Sequence, residues 1–391
     1  MILNKIKELK IFFKSKKITC RPFSDEVINF LDHFSKNLLI NKSLKKYPEI
    51  ITFAFWIRKS NFLNQIKKYD IIFKDRMGRG LAFHIPPSNV STGYFYSWIF
   101  GLISGNSNLI KLPSKKNIIS EVLLNELFKL NKNKKFTKIF KTNKFISYPN
   151  DKTEITKLIS ANCDIRLIWG GDNTINFIRK FEIPVHSQDF CFYDRYSFAI
   201  IQLNKNTNIK DLANKFFNDT LIMDQNACSS PHLVIWKDTN SYKINKFWRE
   251  FAKIIKEKYS LDTGNKYLKY SNVISNLNKI KFFKNLVNHE ELFSRIQVSN
   301  VQSNISDIRG KFGMFIEFET SNLNILKKIV QKKYQTLTYY GVEKKTIKEF
   351  VLKNNLNGID RIVRIGNALN MSLIWDGYDI TRSLSRIIDY D

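Results

Sequence analysis

The sequence predicts an α/β protein whose first large domain is a parallel sheet covered by helices on both faces, followed by a second α/β domain. Three observations carry that prediction. From Gly78 onward short apolar runs alternate with helical stretches at the spacing of crossover units. The turn Trp169-Gly170-Gly171-Asp172 closes one such run and opens a helix. A polar loop, Asp224-Gln225-Asn226-Ala227-Cys228-Ser229-Ser230-Pro231, interrupts the alternation before another strand-like run begins.

Residues 1 to about 75 read as helices. Ser24 or Asp25 starts one whose apolar stripe is Val27, Phe30, Leu31, Phe34 and Leu38, and a second helical run follows Pro48 over 50–63, its Phe53, Phe55, Trp56 and Ile57 forming a packing layer. Strands are predicted over 81–85, 108–112, 145–148 and 165–169, with helices over 92–104, 116–130 and 152–161 between them and a helix over 175–180 after the last. Further strands are predicted over 196–203, 232–236 and 312–318, the last paired with 335–340, and helices over 211–223, 241–259 and 345–354. No internal repeat and no low-complexity linker interrupts the chain. Ligands of such sheets sit at the carboxyl ends of the strands, where the loops 86–91, 113–116 and 170–174 would meet.

Composition excludes several classes. At 391 residues, 43% hydrophobic and 25% charged, the chain is long enough for two or three lobes. Four cysteines without regular spacing argue against a disulfide framework and against a Cys-x-x-Cys metal site, so no metal is expected and the cytoplasm is the expected setting. The first ten residues lack the apolar core and cleavage site of an export signal. The uncharged run 85–110 is broken by prolines, glycines and asparagines, leaving about ten helix-like apolar residues where a membrane span needs about 20, so no integral membrane span is expected. The net charge of +29 comes from lysines scattered through the whole chain rather than clustered, and no nucleic-acid partner is expected.

Two segments carry chemistry. Small polar neighbours give the Cys228 sulfur no continuous apolar wall, unlike Cys163 and Cys191 beside hydrophobic runs, and accessible thiols of this kind are the nucleophile candidates. Gly170 and Gly171 permit close backbone approach, and the helix they introduce offers free N–H groups to an anion. Neither common phosphate-binding fingerprint occurs in the chain.

With these pieces in place the chain resembles the LuxC-type acyl-CoA reductases, fatty acid reductases of luminescence operons within the aldehyde dehydrogenase superfamily. The resemblance rests on Gly78-Arg79-Gly80-Leu81-Ala82-Phe83-His84-Ile85-Pro86-Pro87-Ser88-Asn89-Val90, on Gly105-Asn106-Ser107-Asn108 leading to Lys111-Leu112-Pro113-Ser114, and on Ile168-Trp169-Gly170-Gly171-Asp172. It continues in Asp194-Arg195-Tyr196-Ser197-Phe198, Gln225-Asn226-Ala227-Cys228-Ser229-Ser230-Pro231, Gly358-Ile359-Asp360-Arg361-Ile362-Val363 and Ile374-Trp375-Asp376-Gly377-Tyr378-Asp379. With Ala54-Phe55-Trp56-Ile57-Arg58-Lys59, these segments keep the family's order over nearly the whole chain.

The resemblance implies an aldehyde dehydrogenase-like fold with a Rossmann-type cofactor domain and an α/β catalytic domain. The implied bounds are a helical segment over 1–75, an NADP-binding domain over 76–224, a catalytic domain over 225–357 and a segment over 358–391 that returns to the core. It implies a two-step reaction, in which Cys228 takes a long-chain fatty acyl group from a CoA thioester and NADPH then reduces the enzyme thioester to aldehyde. Asn89 matches the superfamily's oxyanion asparagine, with the Cys228 backbone N–H as a second donor. Lys111 matches the lysine that contacts the adenosine ribose, and Ser114 and Lys115 stand where many NAD-preferring members carry a ribose-binding glutamate. The absence of a carboxylate there favours NADPH, whose 2'-phosphate would gain Lys115 or, more weakly, Lys116. The stretch 187–193 lacks the glutamate that activates water in hydrolytic members, Asp189 being the nearest acid, which suits a reductase. His232 and His84 are the base candidates for Cys228. An acyl-protein synthetase is the implied protein partner, and a homo-oligomer is expected. Two other readings stay open: an aldehyde dehydrogenase that oxidises or hydrolyses, and an acyl-carrying subunit of a multi-protein reductase.

Overall fold

The computed structural model describes residues 2–14, 18–69, 73–87, 92–113 and 117–390, which form two compact units, one of residues 1–193 and 371–391 and the other of residues 194–370. The boundary lies between Tyr193 and Asp194, upstream of the predicted 224/225 division, because the segment after Tyr193 supplies a central strand of the second unit.

The first unit opens with helices. Asp25–Ile40 buries the predicted stripe of Val27, Phe30, Leu31, Phe34 and Leu38. The run over 50–63 is two helices, Pro48–Trp56 and Lys59–Tyr69. The break is held by Asp32, whose carboxylate accepts the Lys59 N–H at 3.2 Å, and by Asn61, which donates to the Trp56 carbonyl at 2.6 Å. Phe55 departs from the predicted packing layer: it is exposed, with the Arg58 guanidinium 4.5 Å over its ring.

After a short strand β1 (Arg76–Gly78) come β2 (Leu81–Ile85), β3 (Ser107–Lys111), β4 (Asn143–Ile146), β5 (Ile165–Trp169) and β6 (Gln188–Phe192). The last five form a parallel sheet in the order β4-β3-β2-β5-β6. β2 is buried along its whole length, as strands covered on both faces are, and its run of apolar side chains was readable for that reason. The helix Gly93–Ile103 that crosses from β2 to β3 is buried all round and is 11 residues long. Among the described residues no helix is long and apolar enough to cross a membrane. The order reverses direction between β2 and β5, and sheets of this kind bind ligands at the carboxyl ends of the strands at such a reversal.

The second unit holds β7 (Tyr196–Ile201), β8 (Pro231–Lys237), β9 (Phe283–His289), β10 (Phe293–Val298), β11 (Met314–Thr320), β12 (Tyr334–Tyr340) and β13 (Arg361–Arg364) in the order β13-β12-β7-β8-β11-β10-β9. All neighbours are parallel except β9 and β10. Side-chain alternation feeds two cores: Phe198 and Ile200 join the one closed by Val273, Ile347 and Val351, whereas Ala199 and Ile201 join Phe216, Trp236, Trp248 and Phe251 on the opposite face. The predicted pairing of 312–318 with 335–340 is wrong. β11 lies between β8 and β10, and β12 between β7 and β13, because the wholly buried β7 and β8 take the middle of the sheet. The strand also starts later than predicted, at Met314, since Phe312 and Gly313 have positive φ (53° and 90°).

The C-terminal segment is shared. Residues up to Asn370 belong to the second unit and contribute β13, while Met371 onward belongs to the first. There β14 (Ile374–Trp375) and β15 (Tyr378–Asp379) form a hairpin turned by Asp376 and Gly377, both at positive φ as a two-residue turn requires. β16 (Ser385–Ile387) pairs antiparallel with β1.

Candidate active site

The cysteine loop is built at the amino ends of the parallel strands of the second unit. After the helix Ile209–Thr220 and one further turn, Asp224 and Gln225 both adopt left-handed backbone (φ 51° and 61°), a conformation costly for residues with side chains. Contacts on every side hold it. The Gln225 amide donates to the carbonyls of Pro231 and Met314, both at 3.0 Å, and its oxygen accepts the Gly313 N–H at 3.2 Å. Tyr259 donates its hydroxyl to the Asp224 carboxylate, and the Asp224 carbonyl accepts the Phe312 N–H at 3.1 Å. Gly310 is needed for this closeness, since a Cβ there would stand 2.0 Å from the Met314 carbonyl oxygen.

Cys228 therefore sits on a fixed loop. Its neighbours Ala227, Ser229 and Ser230 are buried, and Cys228 itself is partly exposed. The Cys228 carbonyl accepts the Ser197 hydroxyl at 2.7 Å, and its Sγ accepts the Gln335 side-chain amide at 3.4 Å. None of the four cysteines is in a disulfide. Burial disfavours ionisation of the other three: it pushes the Cys163 thiol up to about 12 and raises those of Cys20 and Cys191.

Three segments singled out in the sequence converge here. Ser197 comes from 194–198, Gln225 and Cys228 from 225–231, and Arg361 from 358–363. Gln335 was not singled out. It lies in the apolar and aromatic run of β12, at a register shift between Tyr334 and Leu337 against β7, and a second shift falls at Ser197/Phe198 against β8. Such irregularities re-aim side chains, and no sequence period announces them.

The two histidines differ from what a general base at this cysteine requires. His84 belongs to the first unit and is fully buried, with Nδ1 2.8 Å from the Ser97 hydroxyl and Nε2 2.9 Å from the Asn108 side-chain oxygen. Burial lowers its pKa to about 4. His232 is buried beside Tyr196, ring centroids 5.4 Å apart, and burial together with the nearby Arg309 charge keeps it neutral. Asp189 is committed elsewhere. It takes a two-pronged bond from the buried Arg166 guanidinium at 2.6 and 2.8 Å, so it balances a buried cation.

In the first unit, Lys111 ends β3 with its ammonium bonded to the Asn150 side-chain oxygen and 5.1 Å over the Tyr148 ring, and burial lowers its pKa. Gly170 and Gly171 follow β5 at the reversal point of the sheet. A Cβ on Gly170 would press on Thr174 at 3.2 Å, whereas one on Gly171 would meet nothing within 4 Å, so the backbone there faces open space ahead of the helix Asp172–Arg179. Trp169 is fixed beside it, stacked on Phe192 at 3.8 Å and donating to Ser97 at 2.9 Å. Asn89, Ser114, Lys115 and Lys116 lie outside the described residues. Among the described residues no group of three or more His, Cys, Asp or Glu is placed to hold a metal.

The fold resembles solved aldehyde dehydrogenases. The proline utilization A protein of Corynebacterium freiburgense aligns with a TM-score of 0.70 at 9% identity, over 100% of this chain and 44% of that one. Glyceraldehyde-3-phosphate dehydrogenase GapN of Methanocaldococcus jannaschii, solved with NADP, aligns with a TM-score of 0.60 at 12% identity, over 93% and 88%. At such identities the likeness is one of fold. Among sequence relatives, a long-chain acyl-protein thioester reductase of Photorhabdus laumondii is 24% identical over 329 residues, 80% of this chain and 63% of the relative. One of the same description from Aliivibrio fischeri is 24% identical over 163 residues, 41% of this chain and 33% of the relative. This chain thus spans less than two thirds of the length of those relatives. The family model described as Acyl-CoA reductase (LuxC) matches residues 52–387, and the chain belongs to that family.

Proposed function

We propose that this chain reduces a long-chain fatty acyl thioester to the aldehyde, with Cys228 as the residue that carries the acyl group. The observation that carries the reading is Cys228 itself: a partly exposed thiol, on a loop locked by Gln225, whose sulfur faces an amide donor. The Cys228 thiolate attacks the thioester carbonyl carbon, a new C–S bond forms, the C–S bond to the acyl donor breaks, and the donor's sulfur leaves as its thiolate. Hydride then adds to the same carbon, the C–S bond to Cys228 breaks, and its electron pair returns to sulfur as aldehyde departs. Asn89 and the Cys228 backbone N–H are the proposed donors to the oxyanion that forms in each step.

The described edge of the first unit suits a nicotinamide dinucleotide. Open space over Gly171 ahead of a helix N-terminus fits a pyrophosphate, and Lys111 at the end of β3 fits a ribose hydroxyl. The cofactor, when bound, supplies the hydride. Ser114 and Lys115 are proposed to favour NADPH, since neither repels a 2'-phosphate. With Asp189 tied to Arg166, the stretch 188–192 offers no free carboxylate to activate water, which supports reduction over hydrolysis. The acyl donor is proposed to be acyl-CoA or an acyl group delivered by a protein partner, as the description of the curated relatives suggests.

Incubation with a long-chain acyl-CoA and NADPH tests the reading. Cys228→Ala is expected to abolish aldehyde formation, whereas Cys163→Ala retains it; equal loss in both would overturn the assignment. Steady release of free acid from aldehyde and NADP without CoA would instead favour the oxidising enzyme.

A further inference from the structure

Burial and the Arg309 charge keep His232 neutral, yet the Cys228 sulfur terminates a directed series of hydrogen bonds. Arg361 donates from Nη1 to the Thr336 hydroxyl oxygen at 3.3 Å. The Thr336 hydroxyl donates to the Gln335 side-chain oxygen at 3.2 Å, which turns the Gln335 amide nitrogen toward Cys228, where it donates to Sγ at 3.4 Å. Each hydrogen points the same way, from a guanidinium to a sulfur, so each bond polarises the next and the last strengthens when the sulfur becomes negative.

The geometry points to Gln335 as the residue that stabilises the Cys228 thiolate, with Thr336 and Arg361 as its positioning residues. Gln335 and Thr336 are fully buried and lie within the register shift of β12, so neither side chain is free to take another pose. The same Arg361 Nη1 also donates to the Ala368 carbonyl at 3.0 Å and Nη2 to that of Asn370 at 2.9 Å, which fixes the guanidinium. That loop is in turn held by Asp219, whose carboxylate accepts the N–H groups of Gly366 and Ala368 at 2.7 and 2.8 Å. A cation feeding donors toward a sulfur lowers thiol pKa in the way a neighbouring histidinium does in other cysteine enzymes. The inference rests on the reading of Cys228 as nucleophile.

The test is the pH dependence of iodoacetamide alkylation of the full chain, read at the Cys228 peptide by mass spectrometry. Gln335→Met keeps the shape and removes the donor. It is expected to move the alkylation midpoint of Cys228 up by about one pH unit, slowing reaction below that midpoint roughly tenfold, with Cys20 and Cys191 unchanged as internal controls. Thr336→Val releases the amide and is expected to slow Cys228 about threefold. Gln335→Glu places an acceptor on the sulfur and is expected to exceed Gln335→Met. A folded Gln335→Met chain with the native Cys228 profile would overturn the inference; should that variant fail to fold, an unchanged profile in Thr336→Val would do the same. Alkylation needs no acyl transfer, so failure of this relay and failure of the proposed function register in separate experiments.

Discussion

Two buried polar networks in this molecule invite comparison. The one in the first unit is closed. Trp169 donates to Ser97, Ser97 contacts His84, His84 contacts Asn108, and Asn108 and Trp98 both donate to Asn143, so each group has its partner. The one in the second unit, at the amino ends of β7, β8 and β12, is open: the Tyr196 and Tyr334 hydroxyls, the Ser230 hydroxyl and His232 Nδ1 are buried without a hydrogen-bond partner among the described residues. It also contains the paired left-handed residues Asp224 and Gln225. Unsatisfied polar groups and strained backbone are costly and persist where the surroundings enforce them, which is more often at a working site than in a scaffold. The closed network thus ties β2, β3, β4 and β5 together, and the open one surrounds the proposed nucleophile.

The sharpest way to break the closed network is Gly101→Ala. The helix Gly93–Ile103 passes so near that a Cβ there would lie 2.0 Å from the Asn108 side-chain oxygen and 2.8 Å from His84 Nε2. A loss of about 3 kcal/mol is expected in a denaturant titration. His84 comes next. Its folded pKa of about 4 lies below an ordinary 6.5, so its contribution is complete above pH 6.5 and is lost as pH falls from there toward 4. The full span amounts to roughly 3 kcal/mol, and His84→Gln is expected to flatten that acid limb of the stability curve while lowering stability at neutral pH. A smaller contrast separates the two networks directly. Ser97→Ala strands the Trp169 N–H and a His84 nitrogen and is expected to cost about 2 kcal/mol, whereas Tyr196→Phe removes a hydroxyl with no hydrogen-bond partner among the described residues and is expected to change stability by less than about 0.5 kcal/mol. Equal costs for the two would erase the distinction.

Much of this was legible in the sequence for physical reasons. Leu81–Ile85 and Ile165–Trp169 are buried along nearly their whole length, so burial made each mostly apolar, with only His84 and Arg166 interrupting. β9 was missed because an edge strand facing solvent carries Lys284 and Asn285 in place of that signal. The order of parallel strands was misjudged because neighbours in such a sheet are set by crossovers, so the sequence adjacency of β11 and β12 says little about their pairing. Cys228 stood out because polar residues flank it, while Gln335, one amide in the strand Tyr334–Tyr340, gained its place from a register shift that composition does not reveal. Gln225 and Arg361 were present in motif segments, but the bonds of Gln225 across the cysteine loop and of Arg361 to Thr336 form only when the amino ends of the strands come together.

In the proposed reaction the acyl group rests on the Cys228 sulfur between transfer and reduction. Peptide mass mapping after mixing with a long-chain acyl-CoA, before and after NADPH is added, tests this directly. An acyl mass increment is expected on the Cys228 peptide, disappearing on NADPH addition as aldehyde forms in equal amount. An increment that resides on Cys20, Cys163 or Cys191, or aldehyde formed undiminished by a Cys228→Ala chain, would contradict it.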